Sequence, residues 1–173
     1  LAAPSAVYRL HSQREILRRG RNAEHSKLLT DLASDENAPL YGRVAAIFTL
    51  KQLDGADATG ALELLFNDDS IREWALRALT DRKTQLQDVA PRDIAMTLLK
   101  GSNPRDQAQA IISAGRLGDP EIAPYLMKFL KRSETWPQPT ATPLHKQPDV
   151  GRVLPHLAMQ ALVELKAVDA CLE

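Results

Sequence analysis

A short helical phrase is repeated along the chain, and this repetition limits the fold more than any other feature of the sequence. It is clearest at residues 70–81, SIREWALRALTD, where apolar or small residues lie on one face of a predicted helix. Aligned copies carry a small residue at the same position, namely Ser12, Ala46, Ala75, Ala110 and Ala158, at separations of 34, 29, 35 and 48 residues. Such a residue lets a second helix cross close to the backbone.

A second, shorter apolar helix is predicted between successive copies, at 25–33, 59–66, 92–100 and 120–130. Turn-forming Gly, Asn, Asp and Pro residues separate the helices. A period of about 30–35 residues made of two helices is typical of an α-solenoid. The sequence therefore predicts an all-α fold, a superhelix of about five helix pairs.

The phrases SIREWALRALTD and AIISAGRLGDPEIAPYLMKFL resemble HEAT-type repeats, in the short form also found in bilin-lyase-like repeats. The resemblance covers nearly the whole chain apart from residues 132–150. It implies a helical-repeat fold with high specificity, but it says little about function, because unrelated proteins use such repeats as scaffolds.

The two ends carry a narrower resemblance. LHSQREILRRG at 10–20 and VLPHLAMQALVELKAVDACLE at 153–173 are similar to the helical segment of large secreted bacterial proteins, described as membrane-bound dehydrogenase-like or haem-binding. The resemblance implies that a β-propeller precedes the repeats, that a c-type cytochrome module follows them, and that the location is extracytoplasmic. Cys171 is the only cysteine, so no Cys-x-x-Cys-His motif is present and no redox residue is carried over.

The domain prediction is a single repeat domain over residues 1–173, excised from a longer chain, since the sequence opens on LAAPSAVYRL without an initiator Met. A proline-rich loop insertion is predicted at 132–150, where four prolines exclude a regular helix. Insertions between repeats often emerge on the binding face. Trp136 and His145 are therefore candidate partner-binding residues; the alternative for Trp136 is that it covers the last helix pair.

Three arginines, Arg9, Arg43 and Arg72, occupy the same repeat position and are also candidate partner-binding residues. Equal positions in a solenoid form a ladder on one face, and stacked arginines suit a carboxylate, a phosphate or an acidic partner. The favoured alternative is that each arginine pairs with an acidic residue of a neighbouring repeat.

The usual catalytic and cofactor motifs are missing from the sequence. It has no Gly-rich phosphate loop, no His-Glu-x-x-His and no Gly-x-Ser-x-Gly. His145 and His156 are not at a metal-ligand spacing, and Asp68-Asp69 have a sufficient role at a helix start. We therefore expect no catalytic residue, no metal and no cofactor in this segment, and no enzyme activity.

The resulting functional hypothesis is a non-catalytic scaffold that binds a protein partner, or neighbouring domains of the same chain, within a larger secreted, redox-linked protein. One alternative is a HEAT-like nucleic-acid-binding protein that uses the basic N-terminal helices, where residues 1–27 carry a local charge of +4. A net charge of zero disfavours it. The other alternative is a lyase-like module that handles a tetrapyrrole. No membrane span is expected.

Overall fold

A computed structural model of the chain describes residues 1–130 and 150–172, and all regular secondary structure in these residues is helical. The α-helices are α1 (Ala6–Arg19), α2 (Ala23–Ser34), α3 (Leu40–Asp54), α4 (Thr59–Leu64), α5 (Arg72–Thr80), α6 (Pro91–Lys100), α7 (Pro104–Leu117), α8 (Ala123–Met127), α9 (Leu154–Glu164) and α10 (Val168–Leu172). Short 3₁₀ turns lie at Gly55–Ala58, Leu65–Asn67, Lys83–Gln85, Pro120–Ile122 and Val150–Val153. The predicted all-α fold with repeat-like helix packing is confirmed.

Contacts within the chain group it into two compact units, Leu1–Val89 and Ala90–Glu173. The first unit holds α1 to α5, and the second holds α6 to α10. The proline-rich insertion predicted at 132–150 lies outside the described residues except for Val150, which begins the last 3₁₀ turn.

The helix ends follow from local sequence. The Asn22 side-chain oxygen accepts a hydrogen bond from the His25 backbone N–H at 2.8 Å, and Asn103 accepts one from the Arg105 N–H at 3.0 Å. Both asparagines are N-caps that satisfy an otherwise unpaired amide of the first turn. Gly118 ends α7 with φ of 75°, a backbone conformation that glycine adopts without strain.

The small anchor residues of the repeated phrase form the core. Ala46, Ala75, Ala110 and Ala158 are each 0% exposed, whereas Ser12 on α1 is half-buried. In the first unit α3 packs on α2 and contacts both α1 and α5. In the second unit α7 packs on α6 and on α9. Four of the five predicted anchors are therefore confirmed as fully buried packing positions.

Two helices of the second unit approach closely at Gly115 of α7. A Cβ atom placed on Gly115 would lie 3.2 Å from the Ala161 Cα and 3.3 Å from the Ala161 Cβ. The Glu164 carboxylate would lie at 3.4 Å. The backbones of α7 and α9 therefore meet where neither helix carries a large side chain.

Within residues 1–130 and 150–172, no helix combines the length and the apolar character that a membrane crossing requires.

The variant Gly115→Ala should lower the free energy of unfolding by about 2 kcal/mol, because the added methyl group pushes against the α9 backbone. The control is Gly60→Ala in α4, where a Cβ would meet no atom within 4 Å. That variant should stabilise the protein by about 0.5 kcal/mol, since alanine favours the helix. Urea unfolding followed by circular dichroism measures both. Equal effects of the two variants would contradict the close approach.

Candidate functional site

Arg43 lies in the first turn of α3 and connects two repeats. Its side chain is 4% exposed. Its Nε donates to the Ala33 carbonyl at 2.9 Å, its Nη1 donates to the Ser70 hydroxyl at 2.9 Å, and its Nη2 pairs with the Asp68 carboxylate. Ala33 is near the end of α2, and Ser70 and Asp68 precede α5. From α3, the guanidinium therefore contacts the end of the preceding helix pair and the loop that begins the following one.

Asp68 is held ionised by this contact. One of its carboxylate oxygens accepts from the Ser70 backbone N–H at 2.9 Å and from the Ser70 hydroxyl at 2.7 Å. Burial is the largest single influence and opposes ionisation, but the hydrogen bonds from Arg43 and Ser70 together outweigh it. The pKa of Asp68 is lowered from 3.8 to about 2.

Arg72 begins α5 and contacts the turn that precedes it. Its Nε donates to the Phe66 carbonyl at 2.6 Å, and its Nη2 pairs with the Asp69 carboxylate. The Arg72 side chain is 20% exposed, whereas that of Asp69 is 87% exposed. Arg43 and Arg72 thus both contact the short loop that precedes α5.

Arg9 contacts its own chain terminus and the next repeat. Its Nη1 donates to the carbonyls of Ala3 and Pro4 at 2.8 Å and 2.6 Å. Its guanidinium carbon lies 4.4 Å from the centre of the Tyr41 ring at the start of α3, a cation–π geometry.

The structure therefore places all three arginines of the predicted ladder in the first unit, each with contacts inside the chain. For Arg43, the structure agrees with the favoured alternative, which was pairing with an acidic residue of a neighbouring repeat. Partner binding by Arg9, Arg43 and Arg72 stays a prediction. The other two candidates, Trp136 and His145, lie outside the described residues.

Lys51 on α3 was not singled out from the sequence, yet it is 3% exposed and its Nζ has no hydrogen-bond partner among the described residues. Burial lowers the pKa of this amine, and the positive charge of Arg82 lowers it further, whereas Asp81 acts in the opposite direction. Such an amine is costly to keep charged in the folded protein. A lysine in the last turn of a helix gives no sign in the sequence that its head group will be enclosed.

A groove of about 310 Å³ lies in the second unit, between α6 and the segment formed by the Pro120–Ile122 turn and α8. One wall consists of Pro91, Arg92, Ala95, Met96 and Leu99, which share one face of α6. The other wall consists of Glu121, Ile122 and Tyr125. The floor is apolar, and the charged side chains of Arg92 and Glu121 are exposed.

Comparison with known proteins gives one relative. Deoxyhypusine hydroxylase of Drosophila melanogaster is 31% identical to the chain over 98 residues, which is 56% of this chain and 32% of the relative. The chain thus spans about a third of the length of the curated relative it matches. No protein-family model matches the chain. No solved structure matches it.

This relative corrects the functional expectations. The chain was expected to be a non-catalytic scaffold, not an enzyme, and to have no cofactor, whereas the relative is a hydroxylase. Hydroxylation inserts an oxygen atom into a C–H bond, which requires a metal or an organic cofactor rather than side chains alone. All three expectations are therefore wrong on this comparison. They failed because they relied on short catalytic motifs, and a similarity that extends over 98 residues need not contain one. The comparison does not address the resemblance to secreted dehydrogenase-like proteins.

A metal cofactor for such chemistry needs several donor side chains close together. Non-haem iron oxygenases bind iron through two histidines and one carboxylate. In the described part of the chain, no group of three or more His, Cys, Asp or Glu side chains is placed to hold a metal ion. His25, for example, has its Nδ1 within 3.0 Å of the Asn22 amide and 3.2 Å of the Gly20 carbonyl. These residues do not fit a metal site by themselves, and we derive no metal-dependent step from them.

The variant Arg43→Met should lower the free energy of unfolding by about 3 kcal/mol at neutral pH, because it leaves Asp68 half-enclosed without its partner. The pKa of Asp68 is lower in the folded chain than its ordinary value of 3.8. The stabilisation is therefore complete above that value and is lost as pH falls toward about 2. Chemical unfolding of both proteins between these pH values should show the difference shrinking with acid. The exposed control Arg14→Met should change stability by less than about 0.5 kcal/mol.

The variant Lys51→Met should raise the free energy of unfolding by about 1–2 kcal/mol at neutral pH, because it removes a buried amine that has no hydrogen-bond partner among residues 1–130 and 150–172. Since the folded pKa lies below the ordinary 10.5, the unfolded chain binds more protons between the two values. Wild-type stability should therefore rise with pH in that window, and the variant should lose this slope. Thermal unfolding at several alkaline pH values measures both effects. The control Lys27→Met, at a side chain 74% exposed, should change little. A less stable Lys51→Met protein would show that the amine has a partner.

Proposed function

We propose that this chain is a helical-repeat segment of an enzyme of the hydroxylase type, and that its repeats bind and orient the substrate. The observation that carries the proposal is the 31% identity over 98 residues to deoxyhypusine hydroxylase, in a chain whose described residues are packed as helical repeats. Helical repeats share packing residues as well as functional ones, so both contribute to an identity of this extent. The proposal therefore concerns the class of enzyme, with deoxyhypusine as the first substrate to test.

The residues of the chain support a positioning role in this enzyme. The Arg43 contacts join α3 to the end of α2 and to the loop before α5, and Gly115 sets the approach of α7 to α9. Both kinds of contact make rigid helix faces, and substrates are held more accurately on helices than on loops.

A bound cofactor would supply the oxygen-activating chemistry. Because the described side chains do not form a metal site, its ligands would have to come from other residues of the enzyme. The extracytoplasmic location suggested by the two ends of the sequence stays a separate proposal.

The test uses the native polypeptide that contains residues 1–173. Incubation under ¹⁸O₂ with a protein substrate carrying deoxyhypusine should add one labelled oxygen atom, detected by peptide mass spectrometry. Drosophila deoxyhypusine hydroxylase, assayed in parallel, shows that the substrate is competent. If that enzyme labels the substrate and the native polypeptide does not, at full metal loading, the proposed activity is wrong. Fractionation of the source cells before purification tests the proposed location.

A further inference from the structure

The two walls of the groove beside α6 have a definite alignment relative to each other. The Lys128 Nζ donates to the carbonyl of Leu98, which brings the later part of the second wall to the end of α6. The two walls therefore run in the same direction along the chain. Arg92 in the first turn of α6 and Glu121 in the Pro120–Ile122 turn consequently lie toward the same end of the groove.

The charges at this end are opposite in sign and are not used by the fold. Neither the Arg92 guanidinium nor the Glu121 carboxylate forms an ion pair with another residue in the part of the chain that the structure describes. Elsewhere the arginines with structural contacts, such as Arg43, are bound to carboxylates and carbonyls of the chain. Arg92 and Glu121 thus present one cationic and one anionic group to a ligand in the same groove.

The rest of the groove is apolar. Ala95 and Ile122 are 6% and 1% exposed and form its floor, and Leu99 is 51% exposed at the far end of α6. The face from Pro91 to Leu99 extends about 12 Å at the helical rise of about 1.5 Å per residue. The small side chain of Ala95 leaves space in the middle of this face. Tyr125 adds a phenol hydroxyl on the second wall.

We propose that this groove binds a free α-amino acid with an aliphatic or aromatic side chain. The ligand ammonium pairs with Glu121, its carboxylate pairs with Arg92, and its side chain lies on Ala95 toward Leu99. Arginine is suited to carboxylates because its planar fork donates two parallel hydrogen bonds. A volume of about 310 Å³ is at the small end of ligand pockets and suits one amino acid rather than a large cofactor.

Other occupants use the two charges less well. An alkylamine would pair with Glu121 but would be repelled by Arg92. The carboxylate of a fatty acid would pair with Arg92 but would be repelled by Glu121. A residue in the middle of a peptide carries neither backbone charge. The free amino acid satisfies both groups, so charge complementarity selects it. This inference goes beyond the proposed hydroxylase-type function and needs no turnover.

The experiment titrates the full chain, labelled with ¹³C in the methionine and leucine methyl groups, with three related probes. These are L-phenylalanine, phenethylamine, which lacks the carboxylate, and 3-phenylpropionate, which lacks the ammonium. L-phenylalanine should bind with a Kd of about 1 mM or tighter and shift the Met96 and Leu99 methyl signals. Each analogue should bind at least about tenfold more weakly, a loss of about 1.4 kcal/mol.

Two variants then separate the charges. In Arg92→Gln, L-phenylalanine and phenethylamine should bind about equally, because the carboxylate has lost its partner. In Glu121→Gln, L-phenylalanine and 3-phenylpropionate should bind about equally. Both positions are exposed, so folding should be unaffected, and Arg14→Gln serves as the control away from the groove.

Three outcomes would overturn the proposal. They are methyl signals that do not move, equal binding of all three probes to the wild-type chain, and tighter binding of an N-acetylated, C-amidated phenylalanine than of the free amino acid. The second outcome would indicate a groove that recognises only apolar groups. The third would indicate a site for peptide segments. None of these results depends on the ¹⁸O₂ assay, so the two proposals fail independently.

Discussion

The close crossing of neighbouring helices at small residues is the constraint on which each unit of this structure depends. Ala46 of α3 and Ala75 of α5 are completely buried, α3 packs against α5, and Gly115 meets Ala161 where α7 approaches α9. Larger side chains at these positions would push apart helices whose remaining apolar surfaces then lose contact. A helix pair buries its apolar face mainly against its neighbours, so the spacing between helices controls the burial of the whole repeat.

Polar contacts fix the orientation of segments that apolar packing alone would not determine. Arg43 is almost fully buried, and it bonds to the Ala33 carbonyl, the Ser70 hydroxyl and the Asp68 carboxylate. A hydrophobic side chain at the same place would fill the volume but would not select the orientation of the loop before α5. Lys51 on the same helix shows the opposite case, a buried amine whose Nζ has no hydrogen-bond partner among the described residues, and burial without a partner is destabilising. The two side chains differ because the described residues place acceptors around the Arg43 guanidinium and none within hydrogen-bonding distance of the Lys51 amine.

The fold was largely predictable from the sequence, because its determinants are local. The small anchors recur at fixed spacing, and Asn103 followed by Pro104 marks a helix start with residue types that have few other roles. Gly115 was not predicted as a contact, since its importance comes from Ala161, which is far along the sequence. Pairing of Arg43 with a neighbouring repeat was predicted as an alternative. Its burial could not be predicted, because it depends on the positions of three separate helix ends.

The candidate site was much less predictable, for a related reason. The groove exists because the outer faces of α6 and α8 meet without filling the space between them, and no local pattern marks Arg92 or Glu121 as partners in one site. The similarity to a hydroxylase was missed because it extends over 98 residues and contains none of the short catalytic motifs considered in the sequence. In repeat proteins the residues that maintain packing form the recognisable pattern, whereas ligand-binding residues occupy the exposed positions that packing leaves free. An activity assigned from the repeat alone therefore has to be tested at such positions, where a charge can be removed while the core remains intact.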